Sequence, residues 1–382
     1  MRVFMVAGEA SGDRLGGALM AGLKKLETVE FQGVGGPMME AEGLTSQFPM
    51  DELSLMGLVE ILPRYPHLRR RLHQTAEAVL AAQPDVLITI DSPDFCLRLA
   101  KLVKKKSSLR TVHYVAPSVW AWRSGRARRM ARHVDHVLAL LPFEPPLMEA
   151  HGMACDFVGH PVVAEAVPTG SQMAGFRARH GLREAPFLLV LPGSRRSEVA
   201  RLGPIFGQAL RTVLDKNPDL ELVVPTTAAA EPVLRETLPN WPKQPVVLSP
   251  SNIKGDQYNT DKKCSFHCAH WALAASGTVS LELAAADTPM VIAYDVHPLS
   301  RAIIARMLKV DTLTLVNLVS ETRAVPEFIG KACRADLIGP AVLRLMDDPG
   351  AQIAAMRSTM QKLGRDQEPP GLRAARAVLA GL

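Results

Sequence analysis

The residues best suited by type and spacing to do chemistry lie in Leu191-Pro192-Gly193-Ser194-Arg195-Arg196-Ser197-Glu198. This stretch follows an apolar run, Phe187 to Val190, with the pattern of a buried strand, and it precedes a helical pattern reaching about Lys216. A glycine turn at such a junction lets backbone N–H groups and the positive end of the helix converge on an anion. Two arginines in the same turn add planar forks for phosphate oxygens, worth roughly 1.5–3 kcal/mol per charged hydrogen bond. An ordinary turn carrying solvated arginines is the plainer alternative for the octapeptide alone.

A second turn, Ser276-Gly277-Thr278, follows the apolar run Trp271–Ala275 and opens another helix, with Thr278 a plausible N-cap. Glu282 lies four residues on, over the same helix face. A carboxylate there can accept two hydrogen bonds from a ribose diol, or simply complement the helix dipole. A third constellation, Ile90-Asp91-Ser92-Pro93-Asp94-Phe95, puts two carboxylates on a strand-to-helix turn. Asp94 there can take a proton from an attacking hydroxyl, a role worth roughly 10²–10⁴ in rate. Ser92 and Asp94 are equally good helix caps, and capping does not exclude catalysis.

The chain begins with a related turn, Gly8-Glu9-Ala10-Ser11-Gly12-Asp13, again after an apolar strand. The run His113 to Arg123 carries Trp120 and Trp122 in a Pro/Ser loop, where indoles suit sugar faces or acyl chains or serve as loop anchors. Leu53 to Pro63, with Leu55, Met56, Leu58, Ile61 and Leu62, is more apolar than a surface loop, and Arg64, Arg69, Arg70 and Arg71 follow. An apolar ridge flanked by cations describes an interfacial membrane contact; a buried helix with a basic end is the alternative. Cys264, His267, Cys268 and His270 cluster within seven residues, but zinc sites draw ligand pairs from separated segments, and no second pair is evident. No metal site is therefore expected.

The elements that must position these groups alternate along the chain. Strands are predicted at Val3–Ala7, Val86–Ile90, Thr111–Val115 and Val137–Leu141, then at Phe187–Leu191, Leu220–Val224, Trp271–Ala275 and Met290–Ala293. Each is a nearly continuous apolar run, as parallel strands covered on both faces require. Helices are predicted at Arg14–Leu26, His67–Ala82, Phe95–Lys105, Ser197–Lys216 and Leu299–Leu308, and Ser249 to Lys263 reads as a loop. Such alternation implies an α/β fold of two doubly wound Rossmann-like domains facing each other across a cleft. The pattern breaks between Pro161 and Gln172, which gives domains of about 1–165 and 172–364, with a final helix, about 365–382, able to fold back onto the first. Ligands of such sheets bind beyond the carboxyl ends of the strands, where all four turns fall.

Length and composition agree with this plan. A chain of 382 residues that is 47% hydrophobic and 21% charged has the make-up of a globular protein of two to three domains. No run approaches the roughly 18 apolar residues of a membrane span, and the N-terminus lacks a signal-peptide pattern. Five scattered cysteines argue against a disulfide framework, so a cytoplasmic address is the default. The net charge of +6 is concentrated at Arg69–Arg71, Lys104–Lys106 and Arg123–Arg132. A solvated helix face explains any single cluster equally well; among ligands, a phosphorylated substrate or anionic lipid fits better than nucleic acid, since aromatics are only 5% and do not interleave with the basic residues.

Taken in order, these motifs resemble the lipid-A-disaccharide synthase family, bacterial glycosyltransferases of the GT-B architecture. The resemblance rests on Ala7–Asp13, Gly33-Val34-Gly35-Gly36, Met56–Glu60, Ile90–Phe95, His113–Arg123 and Leu141-Pro142-Phe143-Glu144, and continues through Val158-Gly159-His160-Pro161, Leu191–Glu198 and Ser276–Glu282. It implies transfer of a 2,3-diacylglucosamine unit from its UDP derivative to 2,3-diacylglucosamine 1-phosphate (lipid X), with inversion, without a cofactor or required metal, and with no nucleic-acid partner. On this resemblance the second domain holds UDP through Gly193, Ser194, Arg195, Ser276, Gly277, Thr278, Glu282 and Asn317. The first domain takes the acceptor, with Asp94 as general base and Glu9, Ser11, Asp13, Asp91, Trp120 and Trp122 lining the cleft. Arg195 would neutralise charge on the departing UDP. The ridge and Arg69–Arg71 would seat the protein peripherally on the anionic inner face of the cytoplasmic membrane; a homodimer is left open.

The chain departs from the family pattern at Val316, where proline usually precedes the asparagine, at His270, and in the loop Asn252–Lys263, whose uracil contacts stay unassigned. The rival readings are a UDP-sugar 2-epimerase of the same architecture and a nucleotide-sugar-binding membrane scaffold without turnover.

Overall fold

Twelve short strands carry the described part of the chain, and they pair into two separate parallel sheets. The structure is a computed structural model that describes residues 1–53, 58–121, 125–182, 184–253, 255–296 and 310–382, with backbone alone over 58–64. Two units result, Met1–Ala164 with Leu363–Leu382, and Glu165–Lys362.

In the first unit the strands are β1 (Arg2–Ala7), β2 (Glu30–Val34), β3 (Val86–Ile90), β4 (Arg110–Tyr114), β5 (His136–Ala139) and β6 (Ala154–Phe157), in sheet order β2-β1-β3-β4-β5-β6. The helices are α1 (Ala10–Leu26), α2 (Pro37–Ala41), α3 (Leu58–Ala82), α4 (Pro93–Lys104), α5 (Gly125–Met130) and α6 (Pro145–Glu149). Every residue of β3 is buried, including Thr89, whose hydroxyl bonds to the Val112 carbonyl and to His113 Nδ1. The sheet order reverses direction between β1 and β3, and the register Ala7↔Ile90 brings their carboxyl ends level. The last helix, Pro370–Ala380, packs on α1 so closely that a Cβ on Gly22 would lie 2.5 Å from the Gly371 carbonyl oxygen. Glycine at both positions permits that approach.

The second unit repeats the plan with β7 (Phe187–Leu191), β8 (Glu221–Pro225), β9 (Val246–Leu248), β10 (Trp271–Ala275), β11 (Met290–Tyr294) and β12 (Glu327–Ile329), ordered β12-β11-β10-β7-β8-β9. Its helices include α7 (Gly170–Arg179), α8 (Arg196–Lys216), α9 (Glu231–Thr237), α10 (Asp256–Cys268) and α11 (Val279–Ala285). Here the order reverses between β7 and β10, paired Ala274↔Leu191 at their ends. The α/β class and the two Rossmann-like sheets are those expected from the alternating pattern.

One local expectation needs correction. The predicted loop Ser249–Lys263 is helical from Asp256 onward. The helix buries little hydrocarbon, and its anchor is polar. Asp261, 1% exposed, accepts from Arg179 Nη2 at 2.5 Å, His180 at 2.8 Å and Gln257 at 2.8 Å. The predicted helix Leu299–Leu308 lies outside the described residues.

Candidate functional site

Each of the four predicted turns leaves the carboxyl end of a strand beside the reversal point of its own sheet. In the first unit these are the turns after β1 and β3; in the second, those after β7 and β10. At such points neighbouring loops run apart and open a crevice for ligand.

In the second unit, Gly193 has φ 124°, and a Cβ there would lie 2.5 Å from that of Glu198, so the turn needs glycine. Ser194, Arg195 and Arg196 are exposed. The N–H groups that the sequence offered to an external anion already have a partner. Glu198 Oε2 accepts from the backbone of Ser194 at 3.1 Å and of Arg195 at 3.3 Å, while Oε1 accepts from Arg195 Nη1 at 3.1 Å. Tyr294 Oη reaches the same carboxylate at 3.4 Å. Glu198 sits one turn inside α8, where a carboxylate can reach back to the helix start, and this spacing was the available signal.

Beside it, Ser276, Gly277 and Thr278 are half-buried to exposed, and Gly277 has φ 153°. Thr278 occupies the cap position of α11 without a side-chain cap bond, which leaves its hydroxyl to other partners. Glu282 is half-exposed, 3.7 Å from Lys262 Nζ. Asn317 does not join this group. It is 1% exposed, Nδ2 donates to the Val325 carbonyl at 2.9 Å, and Oδ1 accepts from Val325 N–H at 2.9 Å. Its amide is consumed in holding the 317–325 turn, so its expected ligand role is corrected to a structural one.

In the first unit the turns after β1 and β3 interlock. A Cβ on Gly8 would lie 2.6 Å from Ser92 Oγ, and Ser11 Oγ donates to Asp91 Oδ2 at 3.4 Å. Asp91 and Ser92 both have positive φ, 51° and 40°, an arrangement that costs energy in non-glycine residues and clusters at functional sites. Glu9 is half-buried at the start of α1. Asp94 stands in the first turn of α4 with its side chain 92% exposed; among the described residues its side chain pairs with Arg126 Nη2 at 3.5 Å. Neither Ser92 nor Asp94 makes a side-chain cap bond, which removes the capping explanation for Asp94.

Two further calls in this unit, Asp13 and Arg71, are corrected. Asp13 does not line an open surface. It is 3% exposed and accepts from Gly36, Met38 and Met39 N–H groups at 2.9, 2.9 and 3.0 Å, holding the start of α2. Trp120 is half-buried and packs edge-on against Phe143 at 5.6 Å, while Trp122 lies outside the described residues. Arg71 is not available to a membrane. It forms a bidentate pair with Glu52 at 2.6 and 2.8 Å and covers the Phe48 ring at 4.4 Å. That guanidinium, with His67 beyond it, holds the Glu52 carboxyl down at about 2. Arg69 and Arg70 are exposed on α3; Leu55 and Met56, and the side chains of Leu58, Ile61 and Leu62, lie outside the described residues.

Two buried groups lie in motifs of the sequence that gave them no role of their own. Burial, with Arg126 second, pushes His113 down to about 4, so it stays neutral beside Thr89. Burial pushes Glu144 up to about 7 even though Leu141 N–H donates to it at 3.0 Å. Cys264 is buried on α10, and the Cys268 carbonyl accepts from Arg177. Among the described residues no three His, Cys, Asp or Glu side chains come together as metal ligands, and no helix is long and apolar enough to cross a membrane.

Comparison with known proteins fits this geometry. The sequence pattern of the lipid-A-disaccharide synthetase family matches residues 3–376. The lipid-A-disaccharide synthase of Ruegeria pomeroyi is 61% identical over 99% of this chain and 95% of its own length. That of Rhodospirillum centenum is 47% identical over 99% and 94%. Among solved structures, the UDP-GlcNAc 2-epimerase of Neisseria meningitidis bound to UDP-GlcNAc superposes with a TM-score of 0.66 at 11% identity, over 100% of this chain and 99% of that one. A glycosyltransferase from Rickettsia africae gives 0.59 at 12%, over 99% and 96%. At such identities the structures share the fold alone, so the epimerase likeness does not favour an epimerase activity. The family match over nearly the whole chain, with its motifs at the sheet-reversal points, shows that this chain belongs to the lipid-A-disaccharide synthase family of glycosyltransferases.

Proposed function

We propose that this glycosyltransferase joins UDP-2,3-diacylglucosamine to 2,3-diacylglucosamine 1-phosphate, giving the β-1,6-linked disaccharide 1-phosphate and UDP. The single observation that supports it most is the placement of the four polar turns at the reversal points of two Rossmann-like sheets, in a chain of this family.

The reaction is a displacement with inversion. The acceptor's 6-hydroxyl oxygen forms a bond to the donor's anomeric carbon as the bond from that carbon to the diphosphate breaks. The hydroxyl proton goes to Asp94, whose exposed carboxylate has no capping duty. The electron pair leaves with UDP, whose growing charge Arg195 stabilises. Gly193, Ser194, Ser276, Gly277 and Thr278 hold the diphosphate side of the donor, and Glu282 takes the ribose hydroxyls. To use the Ser194 and Arg195 N–H groups, the diphosphate displaces the Glu198 carboxylate, which holds them at 3.1 and 3.3 Å. Glu9, Ser11 and Asp91 form the acceptor side.

Because both substrates carry acyl chains, we place the enzyme peripherally on an anionic cytoplasmic membrane face. Leu55, Met56, Leu58, Ile61 and Leu62 contact it, together with the exposed Arg69 and Arg70. Incubating the protein with both detergent-dispersed substrates and reading the products by mass spectrometry tests the proposal. A disaccharide monophosphate and UDP in equal amounts are expected; well-folded protein that yields neither refutes it.

A further inference from the structure

Next to Asp94, the first unit carries a groove of about 390 Å³ whose chemistry the four turns do not use. One wall is the face of α4 that repeats at Asp94, Leu97, Arg98 and Lys101, spacing that puts these side chains in one row. The other wall comes from α5 and the turn after it, with Arg126, Arg129 and Arg132. Five cationic side chains thus face one carboxylate, over an apolar floor of Leu97 and Met130.

The cations are not there for internal pairing. Neighbouring Lys104 pairs with Asp135 at 2.6 Å, whereas the side chains of Arg98, Lys101, Arg129 and Arg132 have no hydrogen-bonding or ionic partner among the described residues. Their mutual field is felt locally: His133, also on the groove wall, is pushed below its usual range by burial and then by Lys101 and Arg132. Gathering four unpaired cations in one concavity is unfavourable by itself, and a multiply charged anion relieves it. A phosphate monoester carries about −1.5 to −2 at neutral pH and presents three oxygens to guanidinium forks.

We propose that this groove binds the phosphate monoester of the acceptor sugar, with Arg98, Lys101 and Arg129 as its ligands. The proposal rests on the reading that the acceptor is phosphorylated, and it makes the groove the specificity determinant for that group. Anchoring the phosphate here leaves the rest of the sugar ring beside Asp94, the one acid of this groove among the described residues.

The test compares acceptor with and without its phosphate in the wild-type protein, the Arg98→Ala/Arg129→Ala double variant and the Lys101→Ala variant. In the double variant, KM for the phosphorylated acceptor should rise about 100-fold, near tenfold per lost charged contact. The KM for the dephosphorylated acceptor, the UDP affinity and the circular dichroism spectrum should stay at wild-type values. If the double variant does not fold, Arg98→Gln and Lys101→Gln singly should each give near tenfold with the same selectivity. Equal losses with both acceptors overturn the proposal.

A second arm separates a lipid headgroup from the acceptor. Unchanged KM with weakened sedimentation onto phosphatidylcholine vesicles containing phosphatidylglycerol also overturns it, assigning the groove to the membrane. Direct titration with water-soluble glucosamine 1-phosphate keeps the groove testable apart from the reaction. Binding to wild-type protein but not to the double variant supports the groove even if no disaccharide forms; no binding to wild-type protein counts against it.

Discussion

Replacing Asp13 with asparagine separates a structural carboxylate from a substrate-binding one. In the structure Oδ1 accepts from Gly36 and Met39 and Oδ2 from Met38, all within 3.0 Å at a site 3% exposed. Asparagine keeps the pair at one oxygen but turns an amide NH₂ toward the Met38 N–H, so one bond is lost and two donors meet. Leaving a buried donor unsatisfied costs about 1–3 kcal/mol. Loss of the charge at the start of α2 removes roughly 0.3–1 kcal/mol more, and the two surviving bonds weaken because their acceptor is no longer ionised.

The loss should be about 3 kcal/mol. In a unit of this size, melting shifts by about 2–4 °C per kcal/mol, so its transition should fall by about 6–12 °C. Scanning calorimetry reads the transition, and hydrogen exchange of the Gly36–Met39 amides reports whether the protection lost is local. At 20 °C, where the variant remains folded, kcat should stay within twofold of wild type. Unchanged melting with a hundredfold loss of kcat would refute the reasoning and return Asp13 to the acceptor side.

Two further substitutions follow from buried groups. Glu144, raised by burial to about 7, favours the folded state most when protonated: its contribution is full below about pH 4.5 and lost as pH rises through 7. Glu144→Gln should therefore gain stability over wild type on going from pH 5 to pH 8, by up to about 3 kcal/mol, read as the difference between their melting temperatures. An equal difference at both pH values would contradict the assignment. Asn317→Asp places a carboxylate against the Val325 carbonyl, an unpaired buried charge costing on the order of 3 kcal/mol in denaturant unfolding. The affinity for UDP should not change if Asn317 is structural; a selective loss of affinity would restore it to the donor site.

The eight strands legible in the sequence are the inner strands of the two sheets, covered on both faces and so nearly continuous in apolar residues. The four that were missed, β2, β6, β9 and β12, are the four edges. Glu30-Phe31-Gln32-Gly33-Val34 and Ala154-Cys155-Asp156-Phe157 mix polar residues into short runs because an edge strand needs less cover. The helix α10 escaped for a related reason: its anchor is Asp261 gripping Arg179 and His180, some eighty residues away in sequence, and periodicity does not register such a partner. The turns were legible because glycine, proline and serine interrupt an apolar strand at its end. What a polar side chain does there was not. Asp13 and Asn317 look like ligand groups in sequence and Arg71 like a membrane contact, and only their partners Met38, Val325 and Glu52 give them structural work. Glu198 was the converse case, in plain view within the motif but unread as the group that holds its N–H donors.

The central claim is that Asp94 accepts the proton of the attacking hydroxyl while UDP is held elsewhere, by the second unit. Its most direct test is Asp94→Asn, measured for both turnover of the two glycolipids and UDP affinity. The account predicts a fall in kcat of about 10²–10⁴ with the dissociation constant for UDP unchanged. Retention of full turnover by a folded Asp94→Asn protein would contradict it.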